Sequence, residues 1–341
     1  MLAQDLPERY LSEIQQEEHR IIIGSMSMTY SEATAHILEA LVEKAEIVTM
    51  LPDSFSLHFD DAKLRLNPFG THAKNIRRFK AYAKALEEKG ARVAFTNPYR
   101  VPGRLPLLNP YAGRSHDKYA IFGNRVYDFG GVDIKTTGFR NIESMVYCVS
   151  EDWADTREER AAYLYEHKTP DTADDLTYQL NNDSTVWVDT GKPGRSQFFK
   201  NMMTLLAEED VTGITLLSQL RPVGEREKVL LKKQQELGRE KVVVVGNRPE
   251  QLVLPGHIAE FVLRHTSQLQ THTLANPDDY LHEKGLLVYR KDQPTLLSKG
   301  THNFHPAGIK GGTVEQMLVT TDTHLVARYE ERVAELELRA A

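Results

Sequence analysis

Residues 116–134, HDKYAIFGNRVYDFGGVDI, and residues 282–304, HEKGLLVYRKDQPTLLSKGTHNF, carry one pattern twice, 166 residues apart (282 − 116). Each stretch opens with His-x-Lys: His116 and Lys118, then His282 and Lys284. An apolar run, a polar break, a second apolar run and a small-residue turn follow. Gly130-Gly131 makes the first turn and Gly300-Thr301 the second, ahead of Asp133 and Asn303. Further on, Glu143-Ser-Met145-Val146 matches Glu315-Gln-Met317-Leu318. A duplicated His-Lys unit points to one active site assembled from two halves, and its chemistry to phosphodiester transfer.

Outward from these stretches the chain reads as an internal duplication. IIIGSMSM is a strand. SEATAHILEALVEKA is a helix capped by Ser31, with apolar residues at helical spacing, and EIVTMLP is the next strand. In the second half TVWVDTG, SQFFKNMMTLLAEE and TGITLLSQL repeat strand, helix and strand. A charged helix ending in glycine and a β-branched strand follow in both, KALEEKGARVAFTN and KKQQELGREKVVVVGN. Strands alternating with helices predict an α/β layer in each half. The turn-rich stretch KTPDTADDLTYQLNNDS joins two expected domains, 20–172 and 184–338.

The 341 residues suffice for two average domains, and 40% hydrophobic with 26% charged residues is ordinary globular composition. A net charge of −6 argues against dedicated nucleic-acid binding, which favours a basic face. The single cysteine, Cys148, permits no internal disulfide and fits a reducing, cytoplasmic setting; inside MVYCV it reads as a strand residue. The acidic, amphipathic start MLAQDLPERYLSEIQQEEHR has no signal-peptide core, and no 18-residue apolar span occurs, so a lipid substrate implies peripheral contact with a membrane surface.

His and Lys at i and i+2 on a strand share a face. There the imidazole can attack phosphorus, a second histidine can protonate the leaving oxygen, and the lysines with Thr301 and Asn303 can stabilise the phosphorane. Gly130, Gly131 and Gly300 let the backbone approach the phosphate. With cations built in, neither metal nor cofactor is expected. Glu143 and Glu315 are candidates to orient the histidines through their second ring nitrogen, or to pair with the motif lysines. Arg114, Ser115 and Tyr280 either reach substrate or lie on loop surface. A third His-x-Lys, His72-Ala-Lys74, leads into a helical pattern and reads as a surface helix N-terminus. His282, His302 and His305 fit no standard zinc spacing.

The constellation resembles the phospholipase D superfamily, whose signature is H-x-K-x4-D followed by G-[GS]-x-[ND]. His116, Lys118, Gly130, Gly131 and Asp133 match it, and FGGVDI resembles the GG-[IVL]-[ND]-[IL] of bacterial cardiolipin synthases. His282, Lys284, Gly300, Thr301 and Asn303 match it with extra residues in the turn. The motif aspartate is absent from both copies, where Gly123 and Tyr289 stand. The resemblance implies a pseudo-twofold pair of similar α/β domains, each a mixed sheet flanked by helices. It also implies a phosphohistidine intermediate, with His116 as nucleophile and His282 as general acid, then base. The expected activity is a phosphatidyltransferase of the cardiolipin or phosphatidylglycerophosphate synthase type acting on membrane phospholipid. The alternatives are a nucleic-acid phosphodiesterase and an inactive phosphate-binding scaffold. Residues 51–59 and 100–114 are candidates for membrane contact. The sequence does not fix an oligomeric state.

Overall fold

A computed structural model describes residues 1–54, 71–97, 114–135, 137–169, 175–248, 251, 267–305, 309 and 312–340. The chain forms two compact units. The first is Met1–Asp174 with Thr190–Arg195 and Lys310–Glu315; the second is Asp175–Asp189, Ser196–Ile309 and Gln316–Ala341.

The first unit contains α1 (Leu6–Gln16), β1 (Ile21–Ser25), α2 (Glu32–Glu43), β2 (Val48–Pro52), α3 (Thr71–Glu88), β3 (Arg92–Val93), β4 (Tyr119–Phe122), β5 (Arg125–Asp128), β6 (Val146–Val149) and α4 (Glu151–His167). Its sheet runs β3-β2-β1-β4-β5-β6. β1 is parallel to β2 and antiparallel to β4, so the sheet is mixed. Every residue of β1 is buried, as its unbroken apolar run Ile21-Ile22-Ile23 requires of a central strand. Ser31 starts α2 through a capping box: Thr34 Oγ1 accepts the Ser31 N–H at 2.9 Å, and the Ser31 side chain accepts the Thr34 N–H. Ile37, Leu38 and Leu41 then fall on the buried face at helical spacing. α1, which precedes the first expected domain, buries Leu6, Tyr10 and Ile14 in the same core. The third His-x-Lys lies in the first turn of α3, where Lys74 is exposed.

The second sheet and its helices comprise β7 (Leu176–Asn181), β8 (Ser184–Thr190), α5 (Gln197–Ala207), β9 (Val211–Leu217), α6 (Glu225–Leu237), β10 (Val242–Val245), β11 (His272–Leu274), β12 (Gly285–Arg290), β13 (Leu296–Gly300), β14 (Val314–Thr320), α7 (Thr323–Glu335) and β15 (Leu338–Ala340), all in the second unit but for Thr190, Val314 and Glu315 at the strand ends. The sheet runs β15-β11-β10-β9-β12-β13-β14-β8-β7. β9 is parallel to β10 and antiparallel to β12, the same arrangement as β1 with β2 and β4.

That topology corrects one correspondence. The counterpart of IIIGS is VTGITLL (β9), and TVWVDT (β8) belongs to an added hairpin with β7 beyond β14. The counterpart of α2 is therefore α6, and α5 precedes its central strand as α1 does. Strand–helix–strand order repeats too often in an α/β chain to fix the phase of a duplication; only the pairing register does.

Candidate active site

Neither His-x-Lys lies within a strand. Both sit in the extended segment that leads into the strand beside the central one: β4 starts at Tyr119 and β12 at Gly285, each the residue after the motif lysine. Lys118 and Lys284 are each 1% exposed. Each folds back on its own motif: Lys118 Nζ donates to the His116 carbonyl at 2.7 Å, and Lys284 Nζ to the His282 carbonyl. An ammonium has three donors and no acceptor. Among the described residues no carboxylate forms an ion pair with Lys118.

His116 Nδ1 lies 2.9 Å from Glu315 Oε2 within the first unit. An ionised carboxylate only accepts, so Nδ1 donates, and in the neutral ring the lone pair is then on Nε2. Glu315, the downstream glutamate of the second sequence copy, thus serves the histidine of the first. Glu143 is buried and its carbonyl accepts the Ala3 N–H at 3.0 Å. The His282 ring stacks on Tyr280, with centroids 6.3 Å apart.

Sequence reasoning missed the residue between His and Lys. Asp117 and Glu283 are both buried, facing away from their neighbours as alternation on an extended chain demands. Asp117 pairs with Arg157 of α4 at 2.8 Å, and Arg157 also reaches Asp128 at 3.3 Å. The guanidinium lies 3.7 Å from the Tyr119 ring centroid, and Trp153 Nε1 donates to Asp128 at 3.3 Å. Burial works against the Arg157 charge, but Asp117 and Asp128 outweigh it and raise its pKa. Burial also pushes the Tyr119 phenol up to about 12. Glu283 instead pairs with Lys299 of β13. The signal in the sequence was an acid at the middle position of both motifs.

The glycine turns are built for close approach. A Cβ on Gly130 would overlap the Ser144 carbonyl, and one on Gly300 the Gln316 carbonyl. Gly131 is buried beside the first. Thr301 brackets Gln316: its N–H donates to the Gln316 carbonyl and its Oγ1 accepts the Gln316 N–H, both at 2.9 Å. Asp133 Oδ1 accepts from Ser25 Oγ and the Ser27 N–H, each at 2.9 Å, tying the turn to the end of β1. Asn303 Oδ1 is buried with no hydrogen-bond partner among the described residues. The two positions lacking the motif aspartate have structural reasons. Gly123 stands at φ +60° in the two-residue turn between β4 and β5, with Glu17 Oε2 2.8 Å from where a Cβ would be. The Tyr289 ring packs on Gly213.

Arg114 is buried, donating to Asp53 at 3.2 Å, Ser54 at 3.1 Å and the Asn97 carbonyl at 2.9 Å, so it is not loop surface. His302 is buried against Phe198 and Phe199, 3.5 Å from Asp189. Among the described residues no group of three or more His, Cys, Asp or Glu is placed to hold a metal ion. Cys148 is half-buried and burial pushes its thiol up to about 12. Residues 55–59 and 100–113, most of the two candidate membrane stretches, lie outside the described residues. No described helix is long and apolar enough to cross a membrane.

Two mixed α/β units, each with a His-x-Lys leading into the strand beside its central one, have the fold of the phospholipase D superfamily. The chain is similar to the phosphatidylserine synthase of Haemophilus influenzae Rd KW20: TM-score 0.66 and 13% identity, over 100% of this chain and 86% of that one. It is also similar to the polyphosphate kinase of Porphyromonas gingivalis: TM-score 0.55 and 10% identity, over 96% of this chain but 47% of the kinase, about half its length. At such identities the likeness concerns the fold. No protein-family model matches the sequence, and no curated protein matches it.

Proposed function

We propose that the chain is a phosphatidyltransferase of the cardiolipin or phosphatidylglycerophosphate synthase type, peripheral to the membrane, working through a phosphohistidine. The observation that carries this reading is Lys118, a buried cation beside His116 with no carboxylate partner among the described residues. A charge buried without a counter-ion is costly unless a ligand supplies one, and a phosphodiester does. The whole-chain likeness to a phosphatidylserine synthase supports the lipid assignment.

His116 Nε2 attacks phosphorus while the bond to the leaving alcohol breaks, and Glu315 stabilises the charge that forms on the ring. His282 gives a proton to the leaving oxygen and later takes one from the acceptor alcohol, whose attack breaks the P–N bond. Lys118 and Lys284 hold the non-bridging oxygens, and Asp133, Asn303, Thr301, Gly131 and Glu143 shape the surrounding turns.

The test is incubation with phosphatidylglycerol or CDP-diacylglycerol plus glycerol, with single-stranded DNA as a parallel substrate and mass spectrometry as readout. The expected result is a new phosphatidyl ester, intact DNA and unchanged turnover in EDTA. Cleaved DNA with untouched lipid would replace this reading by a nuclease.

A further inference from the structure

We infer that Asp53 and Asn247 are equivalent positioning residues, each fixing the backbone one residue ahead of a reactive histidine. The inference rests on the proposed roles of His116 and His282.

Pairing register establishes the equivalence. Gly24 of β1 lies opposite Tyr119 and beside Leu51; Leu217 of β9 lies opposite Gly285 and beside Val245. Tyr119 and Gly285 each follow a motif lysine, so Leu51 and Val245 correspond. Two residues beyond them stand Asp53 and Asn247. A side-chain detail agrees: the Ser25 and Ser218 hydroxyls, each one past those central residues, lie 3.2 and 2.7 Å from the carbonyl two residues on.

Both side chains are buried. Asp53 Oδ2 accepts the Ser115 N–H at 3.0 Å and the Asn97 amide at 2.6 Å, while Oδ1 meets Arg114 at 3.2 Å. Asn247 Oδ1 accepts the Leu281 N–H at 2.8 Å, and its Nδ2 donates to the Leu281 carbonyl at 2.7 Å and the Gln219 carbonyl at 3.2 Å. A short polar side chain bonding a remote backbone fixes where that backbone goes, because neither buried group has water as a substitute partner.

In the first unit the consequence reaches the imidazole. The latched segment is also bracketed by Val314: the His116 N–H donates to the Val314 carbonyl at 2.9 Å, and the Val314 N–H to the Arg114 carbonyl at 2.8 Å. The next residue is Glu315, which receives His116 Nδ1. Asp53 thereby sets the distance at which the carboxylate meets the ring, and with it the tautomer that leaves Nε2 free. Partners of this kind, one step behind the reacting group, typically change activity about 10- to 100-fold.

The test combines ¹⁵N imidazole spectra of the substrate-free protein with kcat, KM and thermal midpoint. Asp53→Ala is expected to convert His116 from a single Nδ1–H tautomer to a mixture. It should also lower kcat about 10- to 100-fold with KM little changed, and leave His282 alone. Asp53→Asn, which keeps an acceptor for the Ser115 N–H, should restore most of both. Asn247→Ala should act on His282 and spare His116. Asn247→Asp, a milder change that sets an oxygen against the Leu281 carbonyl, should disturb His282 even if the alanine variant does not fold. Folded Asp53→Ala or Asn247→Asp with wild-type spectra and turnover overturns the inference. Latch-dependent spectra in a protein that turns over no phosphodiester would uphold the latches and remove the catalytic reading.

Discussion

In the first unit the buried acid of the His-x-Lys segment, Asp117, is neutralised by an arginine from the helix after the sheet; in the second, Glu283 is neutralised by a lysine two strands into its own hairpin. Arg157 reaches two carboxylates, rests on Tyr119 and links α4 to the motif; Lys299 pairs with Glu283 from β13 of the same hairpin. The same division recurs at the latches, where Asp53 works with Arg114 and Asn247 works uncharged. The repeated backbone arrangement is supported by different charges in the two halves: arginines at Asp117 and Asp53 in the first, a lysine at Glu283 and an uncharged amide at Asn247 in the second.

The largest effect tests whether two halves so differently supported still act on equal terms. His116→Ala and His282→Ala should each lower turnover by about a thousandfold or more, because residues acting as a unit are strongly non-additive. Rapid-quench peptide mapping should find the phosphoryl adduct on His116 in wild type; an adduct on His282 alone reverses their roles.

The next largest is in stability. Arg157→Leu strands Asp117 and Asp128 without a counter-charge and should cost about 3–5 kcal/mol in denaturant unfolding. Lys299→Met removes the ion pair of Glu283 and should cost less than Arg157→Leu. Equal costs would end the contrast drawn between a shared and a local counter-ion. Gly130→Ala and Gly300→Ala probe what the halves share. Both push a methyl into a facing backbone carbonyl and should each cost about 1–3 kcal/mol. The smallest effect comes from placing an aspartate where the resembled motif has one. Gly123→Asp places a side chain at positive φ beside Glu17 and should lose about 1 kcal/mol, with no gain in turnover. A rise in kcat would show that the missing carboxylate matters to the chemistry.

The sequence displayed the α/β class, the duplication, the Ser31 cap and the exposed helical position of Lys74. Each is a local signal of period, cap or motif. It did not display which strand is central in the second half, because VTGITLL and TVWVDT both read as short strands rich in β-branched residues. Nor did it show that Glu315 serves His116, since a partner across 199 residues is set by strand register and not by spacing. Asp53, Asn247, Asp117 and Glu283 were unremarked for a related reason. A single polar residue at a strand end looks like any turn former until the backbone it bonds is known.

The central strands have a further consequence, in time. β1 is bordered on one side by β2, nearby in sequence, and on the other by β4, with Ile21 pairing to Phe122. β9 waits in the same way for β12, with Gly213 pairing to Tyr289. Contacts between segments so remote slow folding, because chain entropy is lost before they form. The pairing that closes each sheet also seats the segment ending in Lys118 or Lys284. Recovery of turnover should therefore trail recovery of helical signal in refolding, and a nascent chain gains its first motif strand only after roughly a hundred residues beyond β1 have been made.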